Sequence, residues 1–169
     1  VNFIFLAVFI GYSTGIAPIT SYHYGAGNKK ELNNILKRSS VIIGIVAIAM
    51  FGISEFLANP LASAFVGYDK ELLAMTTHAF RIYGIAFLFS GISIFGSAFF
   101  TALNDGLTSA TIAFLRTLLF QCSSVLIMPI FFGLDGIWFS IIVAETLSVA
   151  VTITFLAIKN KKFGYWGKF

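Results

Sequence analysis

VNFIFLAVFIGYSTGIAPITSYHYGAGN (1–28) contains no Asp, Glu, Lys or Arg. A helix on the surface of a water-soluble domain renews its charged face every few residues, and this stretch never does. A hydrocarbon core about 30 Å thick is crossed by about 20 apolar helical residues. The same charge-free pattern recurs at 39–54, 56–68, 82–104 and 117–134, and 136–158 carries Glu145 alone. The expected fold is all-α: a polytopic membrane bundle of about five transmembrane helices at about 1–24, 35–66, 71–103, 107–132 and 136–158. These make one bundle over 1–158, with a tail at 159–169.

Composition agrees. The charged fraction is 11%, against about 25% for a soluble domain, and the mean hydropathy is +0.92. The net charge of +4 does not point to nucleic acid, because the basic residues sit beside the apolar runs instead of covering one face. Cys122 is the single cysteine, which excludes a disulfide framework and a Cys-based metal site. Val1 opens inside an apolar run with no charged n-region and no cleavage site before it, so the chain is expected to be part of something longer.

Lys and Arg set the orientation. Lys29, Lys30, Lys37 and Arg38 follow the first span, and Lys159, Lys161, Lys162 and Lys168 follow the fifth, whereas Lys70 and Arg81 flank the start of the third. With five crossings both large clusters share one side. The positive-inside rule then puts the tail in the cytoplasm and the Val1 end outside, in a multi-pass cell (plasma) membrane protein whose first partner is the lipid bilayer. Asn28 is placed to cap the second helix, with Glu31 at nearly capping-box spacing. Asp69 and Asp135 are expected to cap the third and fifth helices, and Asn104-Asp105-Gly106 reads as a turn. Gly11 and Gly15, and the stripe Ala86, Ser90, Ser93, Ser97 and Thr101, are small residues at helix-packing spacing. Pro18 in a polar stretch beside Gly15 makes a bend there an expectation, while Pro60 shapes the outer end of the second helix.

Polar side chains at membrane depth are the candidate site. Glu145 lies about 15 Å beyond Asp135, near the midplane. An ionisable group there either serves function or is held by an interhelical hydrogen bond. Ser148 and Thr152 continue its face. Gln121, about 17 Å from the end of the fourth helix, matches Glu145 in depth and is its expected partner. Arg116, about 24 Å from that end, is expected to snorkel toward the cytoplasm. Glu55 falls near the outer headgroups. Tyr22, His23 and Tyr24 end the first helix at the interface, and Tyr165 and Trp166 read as members of an aromatic belt. No nucleophile–base pair, metal-ligand cluster or phosphate-cradling glycine loop appears, so neither an enzyme nor a cofactor is expected.

Three segments resemble a known family. GYSTGIAPITSYHYGAGNKKELNNILKRS (11–39), FRIYGIAFLFSGI (80–92) and FLRTLLFQCSSVLIMPIFFGLDGIWFSIIVAE (114–145) are similar, in order and spacing, to multidrug and toxic compound extrusion (MATE) transporters. The resemblance implies the C-terminal five helices of a twelve-helix carrier of two lobes. Its remaining partners would be the preceding helix, the N-terminal lobe and small organic, often cationic, substrates exchanged for Na⁺ or H⁺ by alternating access. Carried over by position, Glu145, Gln121 and Arg116 are lobe-interior polar residues, and Gly15 and Pro18 shape a bending helix. Tyr22 and Ser148 complete the candidate pathway. The acidic residue that some members carry in the helix matching 82–104 is absent here. The alternatives are a related lipid-linked glycan flippase, which a cationic cavity would favour, and a truncated membrane subunit without transport of its own.

Overall fold

The computed structural model describes residues 2–166; Lys168 and the end of the tail lie outside the described residues. Five helices account for nearly all of them: α1 (Asn2–Gly25), α2 (Lys29–Val66), α3 (Lys70–Ala102), α4 (Gly106–Phe132) and α5 (Leu134–Phe163). The shortest has 24 residues, which at 1.5 Å each spans about 36 Å, enough to cross the hydrocarbon. All five are apolar enough to do so. This is a multi-pass membrane helix bundle.

Local chemistry sets the turns. Asn28 Oδ1 accepts the Glu31 amide at 3.1 Å, and Asp69 Oδ1 accepts the Glu71 and Leu72 amides at 2.9 and 3.2 Å, each satisfying amides left free at a helix start. Between α3 and α4, Asn104 takes φ 58°, a left-handed conformation that Asn tolerates. Gly133 joins α4 to α5 at φ 58°, ψ −136°, a region that only glycine enters readily.

Some boundaries differ from the sequence expectation. The second helix begins at Lys29, not at about 35, because Leu32, Ile35, Leu36 and Ile43 fall on one buried face and carry the helix down to its cap. The fifth continues to Phe163, so the first residues assigned to the tail are helical. Asp135 lies inside the first turn of α5 and makes no capping hydrogen bond; its Oδ1 instead lies 3.3 Å from His78 Nε2. Helix α1 continues through Pro18, and α2 through Pro60.

Helix α3 is the hub. Over its most apolar window 56% of residues are buried, against 6% for α4, and it packs on α2, α5, α1 and α4. Its glycines explain the closeness. A Cβ on Gly84 would come 2.8 Å from Ser54 Oγ of α2, one on Gly91 would lie 2.6 Å from Phe9 of α1, and one on Gly96 would collide with Thr152 Cγ2 of α5. Small residues permit such approach where lipid removes the hydrophobic drive between helices. Gly11 and Gly15 do not serve this purpose within the chain: both are exposed, with nothing near the Cβ positions.

The aromatic core gathers at one end, around Phe95, Phe99, Phe100, Leu103, Phe163 and Tyr165. Tyr165 is fully buried, meets Phe99 edge-on at 5.3 Å and donates its hydroxyl to the Leu156 carbonyl at 2.8 Å. It is a core residue, not part of a belt; Trp166 is half exposed. The α1–α2 turn lies against this same end, since Lys29 packs across Gly164. The turn and the start of the tail therefore emerge together, as five crossings require.

Candidate functional site

Glu145 of α5 is held by Arg116 of α4. Arg116 Nη2 donates to Glu145 Oε1 at 2.7 Å, and Nε lies 3.1 Å from both carboxylate oxygens. The side chains are 22% and 10% exposed. Arg116 therefore does not snorkel to the basic end. Gln121, the expected partner, is exposed, and its side chain makes no hydrogen bond among the described residues.

The reason lies in the backbone of α4. Leu115–Gln121 is a π-helical segment, in which i→i+5 hydrogen bonding takes one residue more per turn than an α-helix. One added residue rotates the following side chains by about 100°. Counting depth at a uniform rise matched Gln121 to Glu145, whereas the observed backbone directs the longer Arg116 side chain to the carboxylate and leaves Gln121 outside. An Arg–carboxylate fork satisfies both charges geometrically, which is the condition for keeping either at membrane depth.

Tyr83 of α3 lies within electrostatic range of both charges. It also lines a recess of about 370 Å³ with Phe5, Phe65, Phe80, Phe87 and Trp138, near the end of the bundle away from the basic turns. Phe87 meets Phe5 and Tyr83 edge-on at 4.8 and 5.6 Å. The size is that of a small-molecule pocket, and its aromatic walls with few polar groups fit the same description. Sequence reading placed Tyr83 and Phe87 only in a similarity segment. What could have marked them is the i, i+4 aromatic pair one turn from the stripe of small residues.

The other candidates are not brought together. Ser148 is buried, its Oγ has no hydrogen-bond partner among the described residues, and its carbonyl accepts the Thr152 hydroxyl at 2.8 Å. Gly15, Pro18 and Tyr22 share an exposed face of α1, with Tyr22 73% exposed. The small-residue stripe of α3 is partly a hydroxyl cluster: Ser97 and Thr101 reach Ser109 Oγ of α4 at 2.9 and 2.7 Å.

A second ion pair, which the turn reading did not anticipate, locks the basic end. Asp105 caps α4 through the Thr108 amide at 3.3 Å and accepts Lys159 Nζ of α5 at 2.9 Å. Desolvation opposes its ionisation, but hydrogen bonds from Lys159 and Thr108 and the Lys159 charge outweigh it and hold the carboxyl below its ordinary range. Burial, with the Asp105 charge beside it, pushes the Tyr165 hydroxyl well above the usual tyrosine range.

A sequence profile of the MatE family matches residues 1–127. The chain belongs to the MatE family. It is similar to the multidrug export protein MepA of Staphylococcus aureus strain MSSA476, 24% identical over 144 residues. It also resembles the multidrug export protein MepA of Staphylococcus saprophyticus, 25% identical over 147 residues. Each match covers 83% of this chain and 30% of the relative, so the chain spans just under a third of the length of these MatE proteins. No solved structure matches it significantly.

Proposed function

We propose that this MatE chain is the C-terminal five-helix part of a two-lobed multidrug exporter that antiports organic cations and other drugs against Na⁺ or H⁺ by alternating access. The positive-inside rule orients it with the basic end in the cytoplasm. Family membership and the names of the relatives support the transport class. The observation that carries the coupling is the Arg116–Glu145 fork at membrane depth.

A proton on Glu145, or a Na⁺ at its oxygens, competes with Arg116 for the same carboxylate. Losing that partner leaves a guanidinium uncompensated in hydrocarbon, at a cost of several kcal/mol. Moving Arg116 relative to α5 relieves this cost, and the π-helical turn beside it is a place where α4 can change register. Ion occupancy is thereby linked to helix position, and the aromatic recess shares Tyr83 with the pair. A flippase for anionic glycans has less support. Arg116 is neutralised by Glu145, Arg81 stands 3.9 Å from Glu55, and no Lys or Arg among the described residues lines the aromatic recess.

The test is drug efflux by the full-length protein carrying Glu145→Gln. Transport is expected to fall by about tenfold or more, as for loss of a charged hydrogen bond of about 1.5–3 kcal/mol, and its dependence on pH or Na⁺ is expected to flatten. Unchanged transport across pH removes Glu145 from coupling.

A further inference from the structure

The two ends of the bundle carry opposite charge. The end formed by the α1–α2 turn and the close of α5 holds Lys29, Lys30, Lys37, Arg38, Lys159, Lys161 and Lys162 against Glu31 and Asp105. Asp105 is taken by Lys159, and Glu31 accepts Asn34 at 3.1 Å. Among the described residues the other six cations have no ion-pair partner within 4.0 Å. At the opposite end, His78 and Arg81 each face a carboxylate.

Two of the unpaired ammonium groups border a cleft. Tyr24, Gly27, Lys29, Leu32, Lys162 and Phe163 enclose about 160 Å³. The floor is apolar: Tyr24 and Phe163 meet at 5.7 Å, and Leu32 is buried. Lys162 Nζ stands 4.9 Å from the Phe163 ring centre. Lys29 lies along Gly164, whose missing side chain leaves it room: a Cβ there would be 3.0 Å from Lys29 Cδ. Gly27 adds no side chain to the opening. The helices that form the cleft also carry exposed aliphatic side chains: Ile158 lies about 6 Å along α5 from Lys162, and Val41 and Ile45 lie farther along α2, about 18 and 24 Å from Lys29.

We propose that this cleft binds the headgroup of an anionic phospholipid, with Lys29 and Lys162 on the phosphate and the acyl chains against α2 and α5. Charge alone would accept any phosphate. The position at the membrane surface, the apolar floor and the aliphatic helix faces below it select one that carries acyl chains. Basic pockets between transmembrane helices take anionic headgroups for this reason. The proposal needs only the membrane bundle and does not depend on what is transported.

The full-length protein, purified in detergent, would be titrated with phosphatidylglycerol or with phosphatidylcholine of the same acyl chains, and retained lipid counted by native mass spectrometry. Selective retention of phosphatidylglycerol is expected. Each cation near an anionic headgroup is worth about fivefold, so Lys29→Gln with Lys162→Gln weakens retention by about thirtyfold. Lys37→Gln with Arg38→Gln, equal in charge removed, leaves most of it. The exposed single variant Lys162→Gln, expected at about fivefold, carries the same test should the double variant fail to fold. Equal loss in the Lys37/Arg38 control means diffuse attraction and overturns the cleft. Equal retention of the two lipids overturns the anionic headgroup. Displacement of lipid by millimolar glycerol phosphate identifies a soluble-anion site and overturns the lipid.

Discussion

Asp105 combines a helix cap and an ion pair in one carboxylate, only 8% exposed. Its pKa is lowered from an ordinary value of 3.8. A depressed folded-state pKa means that its stabilising contribution is complete above about pH 4 and is lost as the pH falls through the folded value. Asn keeps the capping oxygen but not the charge. Asp105→Asn is therefore expected to destabilise the protein at pH 7 by about 1.5–3 kcal/mol, the range for a charged hydrogen bond. Thermal unfolding in detergent checks this: the gap between wild type and variant should close below pH 4, and a gap that persists there would mean that packing, not charge, is what the substitution disturbs. The turn around Asp105 was legible in Asn104-Asp105-Gly106, but Lys159 was not, because it lies 54 residues away and only the fold joins them. Glu145 was legible from its depth. Its partner was hidden by the π-helical turn, which composition does not announce.

At the scale of the helix, the count of spans and the capping residues Asn28 and Asp69 followed from local chemistry, which a sequence displays. Which glycines face a neighbour did not. Gly11 and Gly15 have the packing spacing yet face outward within this chain, whereas Gly84, Gly91 and Gly96 of α3 receive other helices. The difference is tertiary, since spacing gives a face but not its direction. Gly96 tests the hub. A Cβ there collides with one atom, Thr152 Cγ2. Gly96→Ala is expected to cost about 1–3 kcal/mol as overpacking, in spite of alanine's better helix propensity. Adding Thr152→Ser removes that methyl and should recover most of the loss in thermal midpoint. Gly15→Ala, with open space around it, should leave the midpoint the same or raise it. A Gly96→Ala variant as stable as wild type would mean that α3 and α5 sit farther apart than this.

The whole molecule is a bundle with a basic end and an acidic one, and the two basic segments were expected at one end from the number of crossings alone. The contact of Lys29 with Gly164 supplies that proximity directly. It also ties orientation to a single measurement, since any protein in which the α1–α2 turn is cytoplasmic must have the α5 end cytoplasmic too. With Cys122→Ser as background, Lys30→Cys and Lys161→Cys in intact cells should resist a membrane-impermeant maleimide and react only after permeabilisation, while Glu71→Cys, at the other end of α2–α3, should react at once. Opposite labelling of positions 30 and 161 would contradict the odd number of crossings, and reaction of both in intact cells would invert the bundle. Inversion would put the lysine-rich cleft in the outer leaflet and reverse the side from which an ion reaches Glu145 in the proposed exchange.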